Sequence, residues 1–224
     1  MSGIARPTAA LQSGPLRLAL PRGALLSETL DILDRIGADT AGVRSDSRSL
    51  VFEAGDLTFV TMRPSDVPTY VEAGAADVGI TGKDVLMEQS DRVFYELSDL
   101  GYGGCRMVLA GPDGDDRLSA QERRLGALRI ATKYPRIAER YFEDTGRAAE
   151  VIEVKGSVEL APVSGLADAI VDLVATGRTL KDNGLVIREV IAASTARLIA
   201  NRVAHKLRAR EIDDLAALLA EATS

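Results

Sequence analysis

Apolar residues along this chain alternate, run together, or recur every third and fourth position, and those spacings predict its elements. Leu16-Arg17-Leu18-Ala19-Leu20 alternates and predicts a strand, turned by Pro21-Arg22-Gly23. Leu25, Leu26, Leu30, Leu33 and Ile36 make a helical stripe over 24–36 that Gly37 ends. After a polar loop at 44–49, residues 50–54 and 57–62 predict strands either side of a Gly55-Asp56 hairpin turn. A helix from 63–66 to about Ala73, a strand at 77–81 and a short helix at 85–88 come next. Beyond the glycine-rich Gly101-Tyr102-Gly103-Gly104, strands are expected at 106–110, 128–132, 151–154, 185–192 and 196–200, with helices at 134–145 and 158–163. Residues 112–124 are polar and charged and read as a surface excursion. Val203, Leu207, Leu215, Leu218 and Leu219 predict one long helix over 202–220.

Strands alternating with helices at short spacing imply an α/β fold of two lobes with central, mostly parallel sheets and a binding cleft between the lobes. Residues 16–103 with 190–224 are assigned to lobe I, 104–189 to lobe II, and 1–15 to a flexible tail. The composition narrows the class. With 46% hydrophobic and 27% charged residues, the chain is an ordinary globular protein. A formal net charge of −6 argues against a general nucleic-acid or membrane-surface binder. No apolar run approaches spanning length, and the tail has no apolar leader core, so the cytoplasm is the expected location. A single cysteine, Cys105, excludes an internal disulfide framework, and a single histidine, His205, excludes a multi-histidine metal site. Both are read as structural.

The chemistry concentrates in residues 168–180. Ile170, Val171, Leu173 and Val174 form a buried apolar run interrupted by Asp172, with Asp168 at its start. Thr176-Gly177-Arg178-Thr179 follows as a tight loop, with Thr176 as helix cap and Gly184 as the terminator of a short helix. Such a helix start offers unpaired backbone N–H groups and two hydroxyls, the parts of a phosphate site; a carboxylate just before it suits a sugar phosphate. An ordinary capped connector with a surface acid is the other reading of the same local pattern. Even spacing of Asp168 and Asp172 in an extended strand would turn both acids to one face. Arg22, at the first strand-to-helix turn, is placed to meet an anion. Gly82-Lys83 fails the P-loop pattern at Asp77 and Asp84, and Gly101–Gly104 misses the dinucleotide fingerprint at Arg106.

Glu159, Gly165, Ala167, Ile170, Asp172, Leu173, Thr176, Gly177, Thr179 and Leu180 fall in the spacing E-x5-G-x-A-x2-I-x-D-L-x2-TG-x-TL, which resembles the signature of the ATP phosphoribosyltransferases. Leu20–Gly23, Arg63–Tyr70, Gly79–Asp84, Arg129–Tyr134 and Gly156–Glu159 also resemble segments of that family, in order. The length resembles the short form, which lacks a C-terminal regulatory domain. The resemblance implies a fold like the type II periplasmic binding proteins. It implies condensation of ATP, through adenine N1, with 5-phosphoribosyl-1-pyrophosphate (PRPP) to give phosphoribosyl-ATP and pyrophosphate, the first step of histidine biosynthesis. It further implies Mg²⁺ carried by the substrate pyrophosphate with no assigned protein ligand, a homodimer, and a regulatory subunit similar to histidyl-tRNA synthetase.

The implied roles follow motif positions. Thr176, Gly177, Arg178 and Thr179 hold the 5′-phosphate, Asp172 engages the ribose hydroxyls with Asp168 assisting, and Glu159 meets ribose or metal. Arg22 and Arg48 meet ATP or pyrophosphate, with Arg48 reaching across a dimer interface. Two positions depart from common family practice: Ala24 replaces an arginine, and Ala175 replaces an acid before the Thr-Gly pair. A non-catalytic binding protein of the same lobed fold, and a phosphoribosyltransferase acting on another base, are the alternatives.

Overall fold

A computed structural model describes residues 14–45, 48–114 and 126–223. Most of the expected tail and most of the 112–124 excursion lie outside those residues. Internal contacts divide the chain into two compact units. One comprises the chain to Leu86, Ser90–Gly103 and Thr195 onward; the other comprises Met87–Gln89 and Gly104–Ser194.

The first unit carries β1 (Leu16–Pro21), β2 (Val51–Ala54), β3 (Leu57–Met62), β4 (Val78–Gly82), β5 (Tyr95–Asp99) and, late in the chain, β11 (Ala196–Ala200). Their order in the sheet is β2-β3-β1-β4-β11-β5. Helices α1 (Leu26–Arg35), α2 (Ala41–Ser45) and α3 (Val67–Glu72) connect its strands, α4 (Lys83–Glu88) follows β4, and α8 (Arg202–Leu207) and α9 (Ala209–Ala222) follow β11. The second unit carries β6 (Cys105–Pro112), β7 (Leu128–Thr132), β8 (Ala149–Glu153), β9 (Ala169–Val174) and β10 (Leu185–Ser194), in the order β10-β6-β9-β7-β8. Among its described residues the helices are α5 (Pro135–Asp144), α6 (Leu160–Val163) and α7 (Arg178–Asp182).

Both sheets are mixed. β3, β1 and β4 run parallel, as do β8, β7 and β9, because helical crossovers connect them. β2 is antiparallel to β3 across the expected Gly55-Asp56 turn, and β11, β5, β6 and β10 are added antiparallel. Parallel pairing is therefore narrower than the alternation of strands and helices suggests. Sheet one is covered on both faces. Leu18 and Leu20 pack with Phe59, Ile80 and Leu198 on one side, while Ala19 packs with Val67, Val71 and Ile199 on the other.

Gly79 in β4 faces that second side where α3 lies close. A Cβ there would sit 2.6 Å from Val67 Cγ1 and 2.9 Å from Val71 Cγ2. Gly79→Ala is expected to cost about 2 kcal/mol of folding stability by overpacking, read as a lower urea midpoint at unchanged slope.

The elements differ from the sequence reading in three places. Residues 41–45 are helical within what reads as the border of a polar loop. Val43 is buried there, and Arg44 ion-pairs with Asp31 and Asp34 at 2.7 Å each. β5 lies in a stretch without a clear apolar alternation; its residues are exposed or half-buried, and it is held by pairing to β11. The expected helix over 202–220 is two helices broken at Arg208, whose backbone (φ −130, ψ 34) is not helical. The Arg208 guanidinium, largely buried, lies 3.6 Å from the buried Asp77 carboxylate and also pairs with Glu211. Asn201 starts α8: its carboxamide oxygen accepts from the Val203 and Ala204 N–H groups, and its NH₂ donates to the Val71 and Glu72 carbonyls.

Candidate active site

β9 delivers the central acid. Its first four residues are buried, and Ile170 and Val174 pack into one core face with Val108, Ala131 and Leu180. Asp172 lies between Ile170 and Val174 on that face, only 8% exposed, and opposite Val108 of β6. Burial pushes the Asp172 carboxyl above the usual carboxylate range, and the neighbouring Glu159 charge adds to the rise. The Leu173 backbone N–H and the Lys133 ammonium act the other way.

The chain then turns sharply. Gly177 has φ 79, a left-handed conformation that glycine adopts without a Cβ penalty, and its carbonyl accepts from the Lys181 N–H to open α7. The cap position is thus Gly177 rather than the expected Thr176. No side chain caps α7, and the Thr176 hydroxyl makes only a 3.5 Å approach to the Arg178 N–H. The amides at the helix start and the Thr176 and Thr179 hydroxyls therefore face little internal competition. Leu180, only 4% exposed, anchors the turn to the core, and Gly184 (φ 67) ends it as expected.

Glu159, Asp172 and residues 173–180 line one cavity of about 160 Å³. That is smaller than a typical whole-ligand pocket, and suits one phosphorylated end of a larger molecule. Of the residues singled out from sequence, Glu159, Asp172, Thr176, Gly177, Arg178 and Thr179 meet here.

Asp168 does not line this cavity. It precedes β9, about 13 Å of extended strand before Asp172. Its carboxylate is held by Arg129: the backbone N–H donates to Oδ2 at 2.9 Å, Nη2 to Oδ1 at 2.8 Å and Nε to Oδ2 at 3.3 Å. Arg129 also donates to the Gly165 carbonyl, tying the turn before β9 to the start of β7. Even spacing is satisfied, but the side chain is committed to its neighbour across the sheet. Asp168→Asn is expected to lower the melting temperature by loosening this clasp while leaving KM for PRPP unchanged; a raised KM with unaltered melting would assign the acid to donor binding.

Arg22 lines a second cavity, of about 580 Å³, in the first unit with Leu26, Leu30, Val43, Phe52 and Thr61. Its Nε donates to Thr61 Oγ1 and its Nη2 to the Ser49 carbonyl, fixing the guanidinium at the cavity wall. Arg48 is exposed and lines neither cavity. Ala24 and Ala175 are exposed; Ala175 borders the smaller cavity, where the loop offers backbone and no acid. His205 approaches Asp213 at 3.0 Å and meets the Tyr95 ring edge-on, and Cys105 Sγ donates to the Ser194 carbonyl. Neither touches the cavity lining. The sequence reading missed Lys133; the register of β7 beside β9 is the signal that locates it.

Comparison with known proteins identifies the family and the fold. The profile of the family HisG, ATP phosphoribosyltransferase, matches residues 63–221. The ATP phosphoribosyltransferase of Rubrobacter xylanophilus is 53% identical over 205 residues, covering 90% of this chain and 94% of that protein. Among solved structures, a chain of the ATP phosphoribosyl transferase (HisG:HisZ) complex from Thermotoga maritima superposes with a TM-score of 0.78 at 36% identity, covering 93% of this chain and 98% of that one. The periplasmic aliphatic sulphonate binding protein SsuA from Escherichia coli shares the fold alone, with a TM-score of 0.59 at 13% identity, covering 94% of this chain and 73% of that one. The chain belongs to the ATP phosphoribosyltransferase family.

Proposed function

We propose that the cavity formed by Glu159, Asp172 and residues 176–179 holds the phosphoribosyl donor in ATP phosphoribosyl transfer. The reaction joins adenine N1 of ATP to C1 of PRPP and releases pyrophosphate, opening histidine biosynthesis. Bond breaking at C1 develops positive charge on the ribose and negative charge on the leaving group. The protein's task is to orient two polyanions and complement that charge, and no protein nucleophile is needed. In this reading the Gly177–Thr179 amides and the Thr176 and Thr179 hydroxyls bind the 5′-phosphate, with Arg178 as the exposed cation beside it. Asp172 accepts from ribose hydroxyls and, when ionised, favours the positive ribose; Glu159 faces it across the same cavity. The observation that carries the reading is this convergence of two carboxylates and an uncapped helix start in one cavity.

Among the described residues, no group of three or more His, Cys, Asp or Glu side chains could hold a metal ion. Glu159 and Asp172 fit a hard divalent cation only with substrate oxygens completing its shell, so Mg²⁺ would be carried by the donor and neutralise charge on the pyrophosphate. Arg22 is assigned to ATP or pyrophosphate. The exposed Arg48 is assigned to the leaving group in the partner's site of a homodimer. A HisZ regulatory subunit is the expected partner, because the Thermotoga maritima relative comes from a HisG:HisZ complex. Among the described residues no helix is long and apolar enough to cross a membrane, and a cytoplasmic location goes with an ATP-consuming biosynthetic step. The test is to incubate the chain with ATP, PRPP and Mg²⁺, with and without the regulatory subunit, and to look for phosphoribosyl-ATP. No product in either case overturns the assignment.

A further inference from the structure

The parallel register of β7 and β9 pairs Ile130 with Ala169, Ala131 with Ile170 and Thr132 with Val171. The next step places Lys133, just past the end of β7, beside Asp172. Residues in register on parallel strands point to the same face, and Ala131 and Ile170 do share one core face. Lys133 lies in the bend just past β7, and its ammonium is near enough to act on the Asp172 carboxyl at the adjacent strand end. The turn after β7 is fixed: Thr132 Oγ1 donates to the Val171 carbonyl at 2.6 Å and accepts from the Tyr134 N–H at 2.9 Å. Lys133 is thus presented from a rigid corner, yet its side chain is exposed, and among the described residues no hydrogen bond or ion pair holds it.

The charge of the cavity makes such a cation useful. Its lining carries two acids, Glu159 and Asp172, against one base, Arg178, a net charge of −1 facing an anionic guest. One more ammonium brings the surroundings to neutrality, and a flexible four-carbon stem suits a point contact with a phosphate oxygen.

We propose that Lys133 is a further donor-binding residue, whose ammonium contacts an anionic oxygen of the phosphorylated sugar held beside Asp172. This rests on the reading of the 172–180 cavity as the donor site. The chemistry is a charge-assisted hydrogen bond to a phosphate or pyrophosphate oxygen, made to the donor and not to ATP.

Three variants, Lys133→Met, Lys133→Arg and Thr179→Val, assayed with ATP, PRPP and Mg²⁺ at pH 7 and 8.5, test it. Lys133→Met is expected to raise KM for PRPP about tenfold at both pH values, with KM for ATP and kcat changed by less than about threefold. Lys133→Arg should recover most of the loss. Lys206→Gln, an exposed lysine on α8, controls for net charge and should change neither KM. An unchanged PRPP KM in Lys133→Met, with a raised one in Thr179→Val, overturns the role of Lys133 and leaves the loop assignment standing. An unchanged KM in Thr179→Val counts instead against the loop. Equal rises for both substrates, or a rise at pH 7 that vanishes at pH 8.5, also overturn the contact. The pH-limited rise would mean that Lys133 acts only by keeping Asp172 ionised.

Discussion

Asp172→Asn is expected to lower kcat/KM for PRPP about a hundredfold, because the amide keeps the shape but cannot carry the negative charge that the developing ribose cation needs. The stability effect has the opposite sense. Burial raises the folded-state pKa of Asp172 above its unfolded value, so the protonated form folds more favourably than the charged one. The stability contributed by this group is fully present below the unfolded pKa and is lost as pH rises through the folded pKa. At neutral pH the buried charge therefore opposes folding, and the neutral amide should leave the urea midpoint unchanged or raised. The unmodified enzyme should lose activity on the acid side at a higher pH than an ordinary carboxylate would cause, and the variant should lack that limb. Full turnover in Asp172→Asn would remove the acid from the mechanism, and a clear drop in its urea midpoint at neutral pH would mean that the buried charge does not oppose folding. The site would then have sacrificed no stability for function.

Breaking the ion pair at the helix junction should give the largest stability loss. Asp77 is 1% exposed, its Oδ2 accepts from the Arg17 N–H, and its Oδ1 has no hydrogen-bond partner. Arg208 is the cation beside it. Arg208→Met is expected to cost about 3 kcal/mol, the typical penalty of leaving a buried carboxylate without its counter-charge. Adding Asp77→Asn should return most of that loss, since the amide needs no cation. Equilibrium urea unfolding of the two single variants and the double variant closes the cycle. Additive losses would mean that the two groups do not act as a pair, and that the break at Arg208 has another cause.

The parts of the site that were legible in sequence are those contiguous in sequence. The strand end, Asp172, the left-handed Gly177 and the helix to Leu180 follow one another, so local spacing was enough. Asp168 shows where that stops. Its spacing from Asp172 was read correctly, but Arg129 arrives from a strand 39 positions earlier and takes its carboxylate. Lys133 was hidden for the same reason, because it becomes a neighbour of Asp172 only once β7 and β9 are in register. β5 carries too little apolar pattern to declare itself: pairing to β11 holds it, and Leu97 packs only partly buried against the core. The helix over 202–220 has a continuous apolar stripe, which does not show that Arg208 leaves the helix beside the buried Asp77.

The order β4-β11-β5 bears on how the chain is made as well as on how it stands. Among the described residues β5 has no neighbour in the sheet except β11, whose residues are synthesised roughly a hundred positions later. During synthesis the first unit therefore waits with an open edge at β4 and a detached strand, while the stretch from Gly104 to Ser194 can close on itself. That makes the second unit the early folder and the last thirty or so residues the closing piece of the first. A chain cut short before β11 would strand two sheet edges, and aggregation is its expected fate.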